Sequence, residues 1–183
     1  MSNTDNAQTK FCALMQDQIR NEFTASQQYV AIAVYFDGED LPQLAGHFYR
    51  QAVEERNHAM MLVRYLLDRD VAVDIPGTDA VRNNFDTVRD ALVLALEQER
   101  TVTEQITALA GAARDEHDYL GEQFMQWFLK EQVEEVATMA TLLRTADRAG
   151  ANVFHIEDFI AREMLPQAAD VGAPAAAGGA LTA

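Results

Sequence analysis

Four long stretches of the chain repeat apolar residues at three- and four-residue intervals, the spacing of helices that bury one face. Residues 9–37 carry Met15, Ile19, Glu22, Ser26, Tyr29, Ala33 and Phe36 on one stripe, which Gly38 and Asp40 break. Pro42 opens a second helix, as proline in a first turn should, and Phe48, Ala52, Glu55, Ala59, Leu62 and Leu66 line it as far as about Arg69. The following "DVAVDIPGTDAVRNNF" has no helical period and holds a Pro-Gly turn signal. A third helix begins near Thr87, where Thr87 and Asp90 resemble a capping box; its stripe is Val88, Leu92, Leu96, Glu99, Val102, Ile106, Leu109 and Ala113. The fourth starts around Asp118 and carries Leu120, Phe124, Phe128, Gln132, Glu135, Met139, Leu142 and Ala146, with Gly150 at its C-terminal end. A short fifth helix, Val153 to Met164, follows Asn152 as its cap. Residues 1–8 are expected to be flexible, and "PQAADVGAPAAAGGALTA", 166–183, to be disordered.

Helices of about 28 residues each span roughly 42 Å. Short connections at 38–41 and 115–118 make the first two helices antiparallel, and likewise the last two. The middle connection of roughly 17 residues could stretch some 55 Å, the whole length of such a bundle. The expectation is therefore all-α: one domain over 9–165, a four-helix bundle with one long crossover, helices two and three parallel, and a short fifth helix.

Each stripe is interrupted near its middle, by Glu22, by Glu55 with His58, by Glu99, and by Gln132 with Glu135. In a bundle of equal helices the midpoints share one level, so these side chains should converge. Any one alone reads as a snorkelling residue or half of a buried pair, and a lone Glu-x-x-His spacing arises often by chance. Together, four inward carboxylates without a lysine or arginine on the stripes at that level would repel one another and be forced to protonate. A cation removes the repulsion, and oxygen ligands with one imidazole suit iron or manganese. Glu55 is placed to bridge two ions. Glu54, Glu131 and Glu134 sit beside this layer, where a solvated face and a further metal position are equally good readings. Tyr29 lies on the Glu22 face two turns on, and Trp127 just over one turn before Gln132; core packing is the default for both, but either could donate an electron or a hydrogen bond in catalysis near a metal–oxygen intermediate.

Composition narrows the alternatives. A formal charge of −15 argues against a nucleic-acid surface, which needs a basic stripe, and suits attraction of cations. The uncharged run 30–36 is far too short to cross a bilayer, and the N-terminus lacks the apolar core of a signal peptide, so a cytoplasmic location is expected. Cys12 is the one cysteine, leaving no intrachain disulfide and no cysteine-based zinc cage. Ser2 and Ser26 are the only serines, and no phosphate-binding glycine loop is present. His47, His117 and His155 find no partner at metal-ligand spacing and are expected at the surface.

Glu22, "EERNH", Glu99 and "EQVEE", on four helices with a long crossover and a short fifth helix, resemble the bacterial non-haem ferritins. The likeness covers roughly residues 9–164 and is greatest to the actinobacterial members with a long C-terminal extension, often labelled bacterioferritin B. The resemblance implies a ferritin-like fold and an intrasubunit diiron ferroxidase centre that oxidises Fe²⁺ with O₂ or H₂O₂. It also implies storage of a ferric oxyhydroxide mineral inside a hollow homo-oligomer of 24 subunits, the fifth helix lining the four-fold axes. Glu22, Glu55 and His58 would hold the first iron; Glu55, Glu99 and Gln132, with Glu135, the second; Glu54, Glu131, Glu134 and Glu135 a third position. Tyr29 and Trp127 match aromatic residues beside the centre, and Glu122 a three-fold channel acid, while Met125 stands where animal ferritins have a second one. Release of iron would call on a reductase or ferredoxin. No haem is expected, because Arg56 occupies the place of the haem-ligating methionine of bacterioferritins. Nor does the fourth helix hold the second Glu-x-x-His of bacterioferritins and rubrerythrin-like proteins, reading Gln132 to Glu135 instead.

Overall fold

The computed structural model describes residues 9–150, 152–164 and 172–182. The helices expected from the stripes form close to the expected bounds: α1 Lys10–Gly38, α2 Pro42–Asp68, α3 Val88–Asp115, α4 Tyr119–Ala149 and α5 Phe154–Glu163. Among the described residues there is no strand. Helix α1 packs on α2, α3 on α4, and α1 on α3, while α5 lies against α2 and α4.

The crossover, residues 69–87, runs along α1. Gln16 Nε2 donates to the Ala72 carbonyl at 3.2 Å, Thr24 Oγ1 accepts from Asp79 N at 3.1 Å, and Gln28 exchanges two 2.8 Å bonds with the Arg82 backbone. Each contact lies further along both segments, so α3 starts at the end of the bundle where α2 starts and runs parallel to it. These side chains satisfy backbone groups that an irregular segment cannot pair for itself.

The helix ends show local physics that a stripe does not carry. Thr9, Thr87 and Asp118 accept from the backbone N–H three residues on, as N-caps do. Helix α2 has no such cap at Leu41, and α5 supplies one: Glu157 accepts from Gln43 N at 2.9 Å and Leu44 N at 2.8 Å. Glu116 does the same for α1, accepting from Lys10 N at 2.7 Å. At the other ends, Asp40, Asp70 and His117 take left-handed backbone conformations, with φ of 58°, 55° and 57°. In each case the next N–H returns to a carbonyl of the last helical turn, as Leu41 N does to Phe36 O. The first stripe is thus ended by Asp40, with Gly38 still helical. Asn152 does not cap α5; Val153 holds that position without a side-chain bond.

Two segments depart from expectation. Residues 172–182, within the stretch expected to be disordered, run against α2: Ala177 N donates to Met60 O at 2.9 Å, and the Asn57 side chain makes two bonds with the Leu181 backbone, at 2.9 and 3.0 Å. A composition rich in alanine and glycine still offers backbone donors and acceptors, and Asn57 pairs with them. Residues 1–8, 151, 165–171 and 183 lie outside the described residues. On α4, Leu120 is exposed, and Gly121 faces inward where a Cβ would stand 2.5 Å from Phe11 Cε1.

The core falls into two clusters. One holds Tyr29, Ile32, Phe36, Phe48, Ala52, Leu92, Leu96, Met139 and Leu142; the other holds Met15, Ile19, Met61, Leu62, Val102, Ile106, Met125 and Phe128. On every long helix the gap between the clusters is the same place: Ile19 to Tyr29, Ala52 to Met61, Leu96 to Val102, Phe128 to Met139.

Candidate metal centre

Glu22, Glu55, His58, Glu99, Gln132 and Glu135 all fall in those gaps, and all are buried; Glu55 and Glu99 are 0% exposed. One ligand atom from each of Glu22, Glu55 and His58 lies within 4.8 Å of the others, a group that could hold a metal ion. His58 Nδ1 is 3.3 Å from Glu55 Oε2. The His58 ring is held edge-on by Trp127 at 5.6 Å and Phe128 at 5.7 Å between centroids.

Neutral donors orient the carboxylates. Gln18, itself buried, donates from Nε2 to Glu22 Oε1 at 2.8 Å. The Tyr29 hydroxyl donates to Glu99 Oε1. Each of these two acids keeps a second oxygen, and Glu55 one of its own, that is buried without a hydrogen-bond donor among the described residues: Glu22 Oε2, Glu99 Oε2 and Glu55 Oε1. Buried lone pairs left unpaired in this way are costly. Three of them in one layer make a set of oxygen donors that suits a cation.

The electrostatics agree. Burial, followed by the nearby Glu55 carboxyl, pushes Glu22 well above the ordinary carboxylate range. Burial, then Glu99, does the same for Glu55 and for Glu135. Glu99 rises to about 7, its burial outweighing the bonds from Tyr29 and Gln132 that favour its charged form. With no cation between them, Glu22 and Glu55 can meet only by sharing a proton. Tyr29 is likewise pushed up, by burial and then by Glu99. Arg56 is half-buried and Arg100 exposed, and the strongest charged neighbours of the four buried acids are one another and His58.

The flanking acids divide. Glu54 and Glu131 are half-buried and raised, chiefly by burial, and each feels the other or His58. Gln51 donates to Glu54. Glu134 is exposed and acts on Glu131 as a like charge. Glu122 is paired with Arg114 at 2.6 Å, and Met125 is fully buried in the second core cluster. His117 and His155 are exposed as expected. His47 is not: it packs edge-on against Phe48, and burial lowers its pKa to about 4. Its neighbour in sequence belongs to the stripe, but His47 itself does not, so periodicity alone could not place it inside. The oriented donors Gln18 and Thr103 also escaped the sequence reading; Gln18 lies one helical turn before Glu22, which was the available signal.

A model of the ferritin family, described as the ferritin-like domain, matches residues 12–149. The chain is 75% identical over 181 residues to ferritin BfrB of Mycolicibacterium smegmatis, covering 99% of this chain and 100% of that one. Identity to ferritin BfrB of Mycobacterium tuberculosis is 70% over the same span and coverage. A bacterial non-heme ferritin of Staphylococcus aureus is 34% identical over 136 residues, 74% of this chain and 82% of the relative. Among solved structures, an open pore ferritin from Archaeoglobus fulgidus superposes with a TM-score of 0.81 at 26% identity, over 86% of this chain and 98% of that one.

Proposed function

The chain belongs to the ferritin family of iron-storage proteins, and from that premise we propose that its buried acidic layer is a ferroxidase centre feeding a mineral store. Fe²⁺ is the substrate. Glu22, Glu55 and His58 bind one ion; Glu55, Glu99, Gln132 and Glu135 bind a second, with Glu55 shared. Each Fe²⁺ gives up one electron. The pair reduces O₂ with two protons to H₂O₂, or H₂O₂ with two protons to water. The ferric product then passes to a ferric oxyhydroxide core inside a shell of 24 subunits. Glu54 and Glu131, on the half-buried flank, are a third stop for iron on that route, with Glu134 at its exposed end.

The observation that carries this reading is the trio of buried carboxylate oxygens without donors, in one layer with the Glu22–Glu55–His58 cluster. The residues perform three tasks. Gln18 and Tyr29 fix one oxygen of Glu22 and Glu99, so the other is presented inward. The aromatic walls of Trp127 and Phe128 hold His58 and exclude bulk water. The acids, whose burial holds their protons to higher pH than an ordinary carboxyl, give up protons as cations enter, which makes uptake of iron favour higher pH. Haem is left out because Arg56 follows Glu55 directly, where a bacterioferritin has its ligand methionine. Iron held in the mineral would leave as Fe²⁺, which requires an electron donor such as a ferredoxin or reductase.

An anaerobic Fe²⁺ titration followed by admission of air, read with native mass, tests the whole reading. Two ions bound per chain, rapid oxidation, hundreds of irons retained per assembly and a 24-subunit mass are expected. Iron that stops at two per chain makes the protein a resident diiron oxidase instead. Unchanged oxidation in the double variant Glu55→Ala, His58→Ala overturns the centre altogether.

A further inference from the structure

Gln132 faces the centre in an orientation unsuited to binding iron. Its N–H side faces the Glu99 carboxyl, where it favours the charged acid. Its oxygen points the other way, 2.9 Å from Thr103 Oγ1 on α3. A cation cannot be held by an amide N–H; it needs the oxygen.

The same hydroxyl lies 2.8 Å from the Glu99 carbonyl, one turn back on its own helix. Thr101, Thr107 and Thr145 make this bond to the carbonyl four residues earlier as well. Thr103 therefore has two acceptors and one hydrogen. When the hydrogen goes to Gln132 Oε1, the amide is fixed with its N–H toward Glu99. When it goes to the Glu99 carbonyl, the hydroxyl oxygen becomes an acceptor and bonds the amide N–H. The amide then sits turned by 180°, with its oxygen toward the carboxylates. No atom has to move far, and the Gln132 amide keeps Thr103 as a hydrogen-bond partner in both arrangements.

We propose that Thr103 is a positioning residue for the second metal position, a rotor that lets Gln132 exchange an N–H for an oxygen when a cation arrives. The inference rests on the reading of Gln132 as a metal ligand. Without a cation, the N–H toward Glu99 relieves the buried carboxylate. With one, a second N–H toward the site would be repelled and the oxygen is drawn in, while Thr103 takes up the freed N–H. A valine at this place has the shape of threonine but leaves the amide N–H without an acceptor after rotation; a serine keeps the hydroxyl and loses the methyl.

The test is an anaerobic titration of the assembled protein with Co²⁺, followed by calorimetry and by the visible ligand-field bands of the bound ion. The wild type is expected to bind two ions in separable steps. Thr103→Val should weaken the second step roughly ten-fold or more, the usual effect of removing an outer partner of a ligand, and leave the first step unchanged. Thr103→Ser should bind as the wild type, and Thr103→Val should have no further effect on top of Gln132→Ala. If Thr103→Ser weakens the second step as much as Thr103→Val, the residue acts by packing and the rotor is overturned. It is overturned also if Thr103→Val changes nothing in a protein whose second step does fall with Gln132→Ala. If Gln132→Ala leaves the second step intact, the ligand reading itself fails, and the rotor with it.

Discussion

The buried acids should make the metal-free protein less stable as the pH rises, and Glu99→Gln should reverse much of that loss. An ordinary glutamate titrates near 4.5, whereas burial holds the Glu99 proton to about 7. Between those values the folded chain keeps a proton that the unfolded chain has released. Stability conferred by that proton is complete below pH 4.5 and falls as pH climbs toward 7. A tenfold difference in proton affinity corresponds to about 1.4 kcal/mol, so the full loss is about 3 kcal/mol and is reached near pH 8. Glutamine has the same shape, still accepts from Tyr29 through its oxygen, and carries no charge. It should stabilise the metal-free protein by about 1 kcal/mol at pH 5.5 and about 3 kcal/mol at pH 8. Relief of Glu55 and Glu135, for which Glu99 is the strongest like-charged neighbour, adds in the same direction.

Thermal melts in chelator, at fixed protein concentration and scan rate, read this difference. For a chain of this size about 1 kcal/mol moves the midpoint roughly 2–4 °C, so the variant should melt several degrees above the wild type at pH 8 and approach it at pH 5.5. Working at pH 5.5 keeps clear of the isoelectric point near 4.5. Adding Co²⁺ without oxygen should invert the order, because an ion that binds only the folded state stabilises it and the variant has lost a ligand. A variant that melts below the wild type by the same margin at both pH values would refute the argument, since it would mean that Glu99 stabilises the empty site through its bonds and pays no cost for its charge.

Two further changes test the frame around the layer. Gly121→Ala should cost roughly 1–3 kcal/mol, because the new methyl would meet Phe11 at 2.5 Å and Asp118 Oδ2 at 2.8 Å; a melting point equal to the wild type would show that α1 shifts freely away from α4. Glu157→Ala removes the acceptor of two N-terminal N–H groups of α2 and should cost roughly 1–2 kcal/mol, with hydrogen exchange speeding up at Gln43 and Leu44 and not at the far end of α2.

The helices and the acidic layer were legible for one reason. A carboxylate on an apolar stripe violates the pattern that the stripe itself establishes, so Glu22, Glu55, Glu99 and Glu135 were visible as exceptions, and four exceptions at one height pointed to a common cause. What could not be read depends on partners brought together only by folding. Glu157 and Glu116 look like surface acids until α5 and the α3–α4 turn carry them to the ends of other helices. Asn57 looks like a polar residue on a helix face until the Leu181 backbone reaches it. The endings at Asp40, Asp70 and His117 use left-handed residues other than glycine, at positions where composition predicts only that a helix stops. Gln18 and Thr103 are ordinary polar residues by sequence and become specific only through the oxygen each one faces.

The arrangement also explains how a bundle tolerates such a layer. A stripe of acids across a single continuous core would cut the helices' packing everywhere. Here the two apolar clusters are each complete: one is anchored by Phe36, Phe48, Leu92 and Leu142, the other by Met15, Leu62, Ile106 and Phe128. Each fixes its own end of all four helices, so the level between them is set by two rigid supports and not by its own contacts. Unpaired oxygens can then persist at Glu22, Glu55 and Glu99 without the helices moving to satisfy them. That is the condition a site needs if it is to bind cations, release them and stand ready again: its geometry must be imposed from outside. Weakening either cluster should therefore loosen metal binding before it unfolds the chain, whereas neutralising the layer should tighten the fold and abolish the binding.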